Sequence, residues 1–187
     1  MVLLVLGLFL GACGSAIPVV SFDPSTPCTT DGQQPGAYPE LEALLPSQYQ
    51  GQAPDNVDSG RNCTPAALGS LADAGIAGVR FAGAIWHLGG STGLTVAVFE
   101  ADGLTPKAMI DFYRLGGSGN SKLEKIALSD ATVGGRSGSR MDVLLSDGTA
   151  QTIVAWPAAQ PGRVFVMLAS DLGDTNVLKA LDEFGSL

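Results

Sequence analysis

The sequence predicts an α+β fold: an antiparallel sheet with a helix after the first hairpin and a second helix at the C-terminus. Three observations point there. From Val79 the pattern has a period of two, with Val79, Phe81, Gly83 and Ile85 alternating with Arg80, Ala82, Ala84 and Trp86, the spacing of a strand. Pro106 to Leu115 carries Met109, Phe112, Tyr113 and Leu115 as an apolar stripe at helical spacing. Arg163 to Ala169 is nearly all apolar, and Val177, Leu181 and Phe184 after it share one helical face, which reads as a buried central strand followed by a closing helix. A content of 25 Gly and 11 Pro calls for many turns, and 45% hydrophobic residues excludes global disorder.

The individual elements follow from local chemistry. Pro39-Glu40-Leu41-Glu42-Ala43-Leu44-Leu45 has Pro in a first-turn position and acids beside it, so a short helix is expected, stopped by Pro46. A second helix spans Pro65 to Ala74, introduced by Thr64 as N-cap and ended by Gly75. The strand from Val79 turns at Gly89-Gly90-Ser91-Thr92-Gly93 into Leu94 to Glu100, forming a hairpin. Gly116-Gly117 ends the Pro106 helix. Strands are expected at Leu123 to Leu128, Arg140 to Ser146 and Ala150 to Trp156, the last two joined by the tight turn Asp147-Gly148.

At the N-terminus an apolar run ends in Leu10-Gly11-Ala12-Cys13, which resembles the lipobox of bacterial lipoproteins. In that family small residues let a membrane peptidase reach the backbone, the thiol receives a diacylglycerol, and the new amine takes an acyl chain such as palmitate. The resemblance makes Cys13 a lipidation site and residues 1–12 a signal peptide too short to span a bilayer. No Lys or Arg precedes Cys13, although such a leader normally opens with one, which fits a true start upstream of Met1. Residues 13–37 are Ser-, Thr-, Pro- and Gly-rich without apolar periodicity and read as a flexible tether. Residues 38–187 then form a single domain of ordinary size. Once Cys13 is set aside, Cys28 and Cys63 remain as one pair in a chain that matures outside the reducing cytoplasm, and a disulfide between them is expected.

From Val79 onward the order is two strands, a helix, four strands and a helix, with Ala131-Thr132-Val133-Gly134-Gly135-Arg136 leading into the strand from Arg140. This order and the Val-Gly-Gly-Arg turn resemble small extracytoplasmic lipoproteins with the PsbP/Mog1-like fold. The resemblance implies an α+β sandwich in a functionally diverse, largely non-enzymatic group, and it brings no catalytic residues with it.

Constellations that would carry chemistry are sparse. His87 is the sole histidine, and a Ser/His/Asp site would need it to bridge a nucleophile and an acid, yet no Gly-x-Ser-x-Gly elbow supplies the nucleophile. One His and two oxidised Cys are too few for zinc. Asp55-Asn56-Val57-Asp58-Ser59-Gly60 superficially resembles a calcium loop but lacks the closing acid, and reads as an Asx-rich turn. Gly89 to Gly93 and Gly116 to Gly119 lack the Gly-Lys-Ser/Thr ending of a phosphate loop. Asn62-Cys63-Thr64 matches a glycosylation pattern that a bonded Cys63 would obstruct. Trp86, Phe99, Tyr113 and Trp156 are candidates for a ligand groove or for core.

A net charge of −8 disfavours nucleic acid. The one basic stretch, Lys107, Arg114, Lys122, Lys125, Arg136 and Arg140, reads as a solvated helix face and loop. No metal and no cofactor is implied. The function expected is that of a lipid-anchored protein on the extracytoplasmic face of the cell membrane, its domain a non-catalytic module for binding or envelope assembly. The membrane is its first partner, and a small apolar ligand or an envelope protein its second. Two alternatives stand beside this: a hydrolase using an unrecognised Ser/His87/Asp arrangement, and a structural partner of another envelope protein.

Overall fold

The structure, a computed structural model, describes residues 22–117 and 122–187. Their elements run β1 (Gly32–Gln34), α1 (Pro39–Glu42), β2 (Asn56–Asn62), α2 (Pro65–Leu68), α3 (Ser70–Asp73), β3 (Val79–Gly89), β4 (Thr92–Glu100), α4 (Pro106–Gly117), β5 (Leu123–Val133), β6 (Arg136–Leu145), β7 (Ala150–Pro157), β8 (Arg163–Ser170) and α5 (Asp174–Phe184). The strands make one eight-stranded sheet in the order β1-β2-β3-β4-β8-β7-β6-β5, antiparallel at every step. The fold is thus mixed helix and strand, dominated by an antiparallel sheet and closed by a C-terminal helix.

Helix α4 explains the strand order. It takes the chain from β4, over β8, β7 and β6, to the far edge at β5. The meander β5 to β8 then walks back until β8 pairs with β4, with Val98 opposite Phe165. The most apolar strand therefore ends in the middle of the sheet, where both its faces are covered.

Both faces of the sheet bury side chains, so alternate residues of one strand serve two cores. Phe81, Phe99, Met141, Ile153 and Val166 face α4, which contributes Met109, Ile110, Phe112 and Tyr113, and the α2–α3 segment, which contributes Leu68 and Leu71. On the opposite face Trp86, Val96, Val98, Trp156 and Phe165 pack under Leu41, Tyr49 and the α5 residues Val177, Leu181 and Phe184. Tyr49, Trp86 and Phe184 form a mutual ring cluster with centroids 5.6 to 6.4 Å apart, and the Trp86 indole donates to the Gln52 carbonyl at 3.0 Å. At about 25 cal/mol per Å² of apolar area, these two layers supply the main force that holds the sheet.

Several sequence expectations need correction. The segment read as a tether over 13–37 is ordered through residues 22–37. Phe22 is buried, β1 pairs with β2 with Gly32 opposite Arg61, and Cys28 is bonded to Cys63 with Cα atoms 5.3 Å apart. The reason is Arg61, itself only 2% exposed. Its guanidinium donates to the carbonyls of Thr30 (3.0 Å) and Thr26 (2.7 Å) and stacks over the Phe22 ring. An arginine and a disulfide thus organise a stretch that has no apolar period of its own.

The Asx-rich turn at Asp55–Gly60 is instead mostly strand β2, held between β1 and β3 with Gly60 opposite Phe81. The helix expected over Pro65 to Ala74 breaks into α2 and α3 at Gly69, whose φ of 49° and ψ of −127° lie in a region open essentially to glycine. The first helix stops at Glu42 rather than Leu45. Strands β5 and β6 are longer than expected because their hairpin extends to the Gly134-Gly135 turn. The lipobox, Cys13 included, lies outside the described residues.

Candidate functional site

The expected N-cap at Thr64 is in place and is reinforced. Its Oγ1 accepts from the Ala67 N–H at 3.3 Å, and it donates to Asp31 Oδ2 at 2.6 Å. Asp31 Oδ1 also accepts from the backbone N–H groups of Cys63 (2.6 Å) and Thr64 (2.9 Å). Partial burial pulls the Asp31 carboxyl upward, but these hydrogen bonds outweigh it and hold its pKa below the ordinary value. Asp31 and the disulfide therefore fix where α2 begins.

Between α2–α3 and the C-terminal half of α4 lies a cleft of about 380 Å³, within the size range of small-molecule sites. Ala66, Ala67 and Gly69 form one wall, and Phe112, Leu115 and Gly116 form the other. Asn62, Ser70 and Asp73 add polar groups. Gly69 is required here by its backbone conformation, with φ at 49°, which disfavours any residue with a Cβ. The Ser70 hydroxyl is buried without a hydrogen-bond partner among the described residues, a state that costs about 1–3 kcal/mol until a partner arrives.

The aromatic residues singled out from sequence do not form a groove. Trp86 and Trp156 are fully buried in the α5-side core, while Phe99 and Tyr113 belong to the α4-side core. Burial pushes the Tyr113 phenol well above its ordinary pKa, as befits a packing residue. The aromatic ring at the cleft is Phe112, which the sequence marked only as part of a helical stripe. Nothing in the spacing of Asn62, Ser70 and Asp73 announced that they would meet. The one available signal was a glycine interrupting the helical pattern just before Ser70.

His87 sits near the end of β3 with an acid beside it. Asp55 Oδ2 accepts from the His87 backbone N–H at 2.6 Å and lies 3.1 Å from Nδ1. The two hydrogen bonds to His87 hold the Asp55 carboxyl below the ordinary range. A His–Asp contact of this length has the spacing of the base and orienter in a hydrolytic triad. The imidazole side chain is 67% exposed, and among the described residues no serine or cysteine is hydrogen-bonded to it, so the pair is not joined to a nucleophile.

Most of the basic residues that the sequence groups together are engaged locally. Lys107 and Arg114 both reach Asp111 on α4, Lys122 lies 3.6 Å from Asp147, and Arg140 bridges Asp142 and Asp174. Arg136 donates to the Pro157 and Gly185 carbonyls. All of the basic stretch but Lys125 is thereby turned to local partners rather than gathered into a patch. Asp58 of the calcium-like run accepts from Gln33 and Asn56 side chains, and no group of three or more metal-binding side chains gathers among the described residues. Asn62, in the glycosylation pattern, is buried. No helix among the described residues is long and apolar enough to cross a membrane. Comparison with known families finds no family that matches the chain, and comparison with curated proteins finds no matching relative.

Proposed function

We propose that this chain is a lipid-anchored extracytoplasmic binding module, tethered through Cys13, that takes a small, largely apolar ligand into the cleft between α2–α3 and α4. One observation carries the reading: apolar walls from Ala66, Ala67, Phe112 and Leu115 enclose a ligand-sized volume edged by the polar residues Asn62, Ser70 and Asp73. An apolar body gains by leaving water there, and the polar edge suits a ligand that carries a single polar group. The disulfide suits an oxidising compartment, in keeping with the lipobox-like Leu10-Gly11-Ala12-Cys13. The order of elements from β3 onward supports a PsbP/Mog1-like sandwich for that part.

Binding is tested with naphthalenemethanol, a neutral probe with one hydroxyl, titrated into isotopically labelled protein. Shifts confined to Ala66, Ala67, Ser70 and Phe112, and lost in an Ala66→Trp variant that fills the cleft from its exposed side, are the expected result. Shifts scattered over the surface or unaffected by that variant would overturn the reading. Anchoring is tested separately by metabolic labelling with a fatty-acid analogue: the parent takes the label and Cys13→Ser does not, whereas equal labelling of both removes Cys13 as the anchor.

A further inference from the structure

We infer that the cleft selects a cationic amphiphile: an apolar body carrying an amine, rather than a fatty acid or another anion. This rests on the cleft being a ligand site, as proposed above, and adds the charge of what enters it. Among the described residues the single ionisable group in its lining is the carboxylate of Asp73, at an exposed position of α3. Among the described residues no cation is ion-paired with Asp73, and no Lys or Arg contributes to the lining. Two basic residues adjoin the lining in sequence, and both are turned elsewhere: Arg114, beside Leu115, to Asp111 at 3.2 Å, and Arg61, beside Asn62, to the carbonyls of Thr30 and Thr26. An anion entering the cleft would therefore meet an uncompensated like charge at its mouth and find no donor but neutral ones.

An ammonium meets the opposite situation. Asp73 offers a counter-charge in a lining whose other polar residues, Asn62 and Ser70, are neutral. The aromatic ring of Phe112 adds a wall that tolerates a cation better than an aliphatic one does. The net charge of −8 raises the local concentration of cations around the molecule as a whole.

The test uses three naphthalene probes of matched size, each followed by chemical-shift titration at pH 7: naphthylmethylamine, protonated at that pH, neutral naphthalenemethanol, and naphthoate. The amine is expected to bind about fivefold tighter than the alcohol, the yield of an ion pair near a protein surface, and naphthoate more weakly than either. The amine's advantage should shrink with added salt. Asp73→Asn, at an exposed position, should abolish that advantage so that amine and alcohol bind alike, and Asp73→Lys should transfer the preference to naphthoate. Equal binding of amine and alcohol, or an amine preference that survives Asp73→Asn, would overturn the charge inference and leave the cleft intact. Failure of all three probes to bind, or binding that persists in Ala66→Trp, would overturn the cleft reading itself.

Discussion

Arg136 donates from Nη2 to the carbonyl oxygen of Gly185 at 2.7 Å, and so ties the β5–β6 turn to the C-terminal end of α5. The same guanidinium reaches the Pro157 carbonyl at the end of β7 through Nη1. Three elements far apart in sequence are thus held by one side chain, at a helix end where a positive charge also complements the helix dipole. The Val-Gly-Gly-Arg turn exists to bring them together. Gly134 and Gly135 both have positive φ, 55° and 76°, as a tight hairpin of this kind requires.

The two glycines of that turn should respond differently to substitution. A Cβ on Gly134 would overlap the Gly185 carbonyl, whereas one on Gly135 would meet open space. Gly135→Ala pays only the left-handed backbone penalty, about 1–2 kcal/mol. Gly134→Ala adds a backbone clash and should cost at least about 1 kcal/mol more. Urea denaturation of the two variants measures the difference, and equal costs would mean that the turn and α5 do not meet as described.

The disulfide between Cys28 and Cys63 closes a loop with a sequence separation of 35. Chain entropy then gives it about 4 kcal/mol of stability. Replacing both cysteines by serine should lower the denaturation midpoint accordingly, and the same shift should follow when the parent is unfolded in the presence of a dithiol reductant. Little change in either experiment would show that Arg61 and Asp31 hold the segment without the bridge.

Arg61 is the second fastener of that segment. Asp23 and Asp31 lie close enough for their charges to act on it, and its hydrogen bonds go to Thr26 and Thr30. Arg61→Met should cost about 3 kcal/mol, because it strands two carbonyls and a partly compensated charge cluster. Limited proteolysis should then cleave within residues 22–34 before the rest of the domain. Arg61→Lys should rescue little, since an ammonium lacks the planar fork that spans both threonines.

Acid should weaken the fold through Glu100 and Asp31. Burial raises the Glu100 carboxyl, but hydrogen bonds from Arg163 and Arg80 outweigh it, so its pKa falls below the ordinary 4.5; that of Asp31 likewise falls below 3.8. A carboxylate depressed in the folded state contributes stability that is present above its ordinary pKa and is lost as pH drops through the folded value. Stability should therefore decline from roughly pH 5 downward. Glu100→Gln should be less stable at neutral pH and show a shallower acid slope. An unchanged slope would remove Glu100 from the account.

Where residues carry their own periodicity, the sequence already determined the outcome. The two-residue alternation from Val79, the stripe of Met109, Phe112 and Tyr113, and the apolar run of β8 each state which side is buried, because burial of apolar area acts on every third, fourth or second residue regardless of what lies opposite. Turn chemistry was equally legible at Gly134-Gly135, Asp147-Gly148 and Thr64, where one backbone geometry or one capping bond decides.

Tertiary structure alone decided the rest. Apart from Val57, strands β1 and β2 are built from Gly, Gln, Asn, Asp, Ser and Arg, types with little preference for strands, and they form because Arg61, the disulfide and the edge of β3 supply partners from elsewhere in the chain. The cleft has the same origin. Asn62, Ser70, Asp73 and Phe112 come from β2, α3 and α4, and only the packing of those elements brings them to the lining of one cleft. Local propensity acts over a few neighbours along the chain, whereas a site made by long-range packing leaves no period and no motif to read.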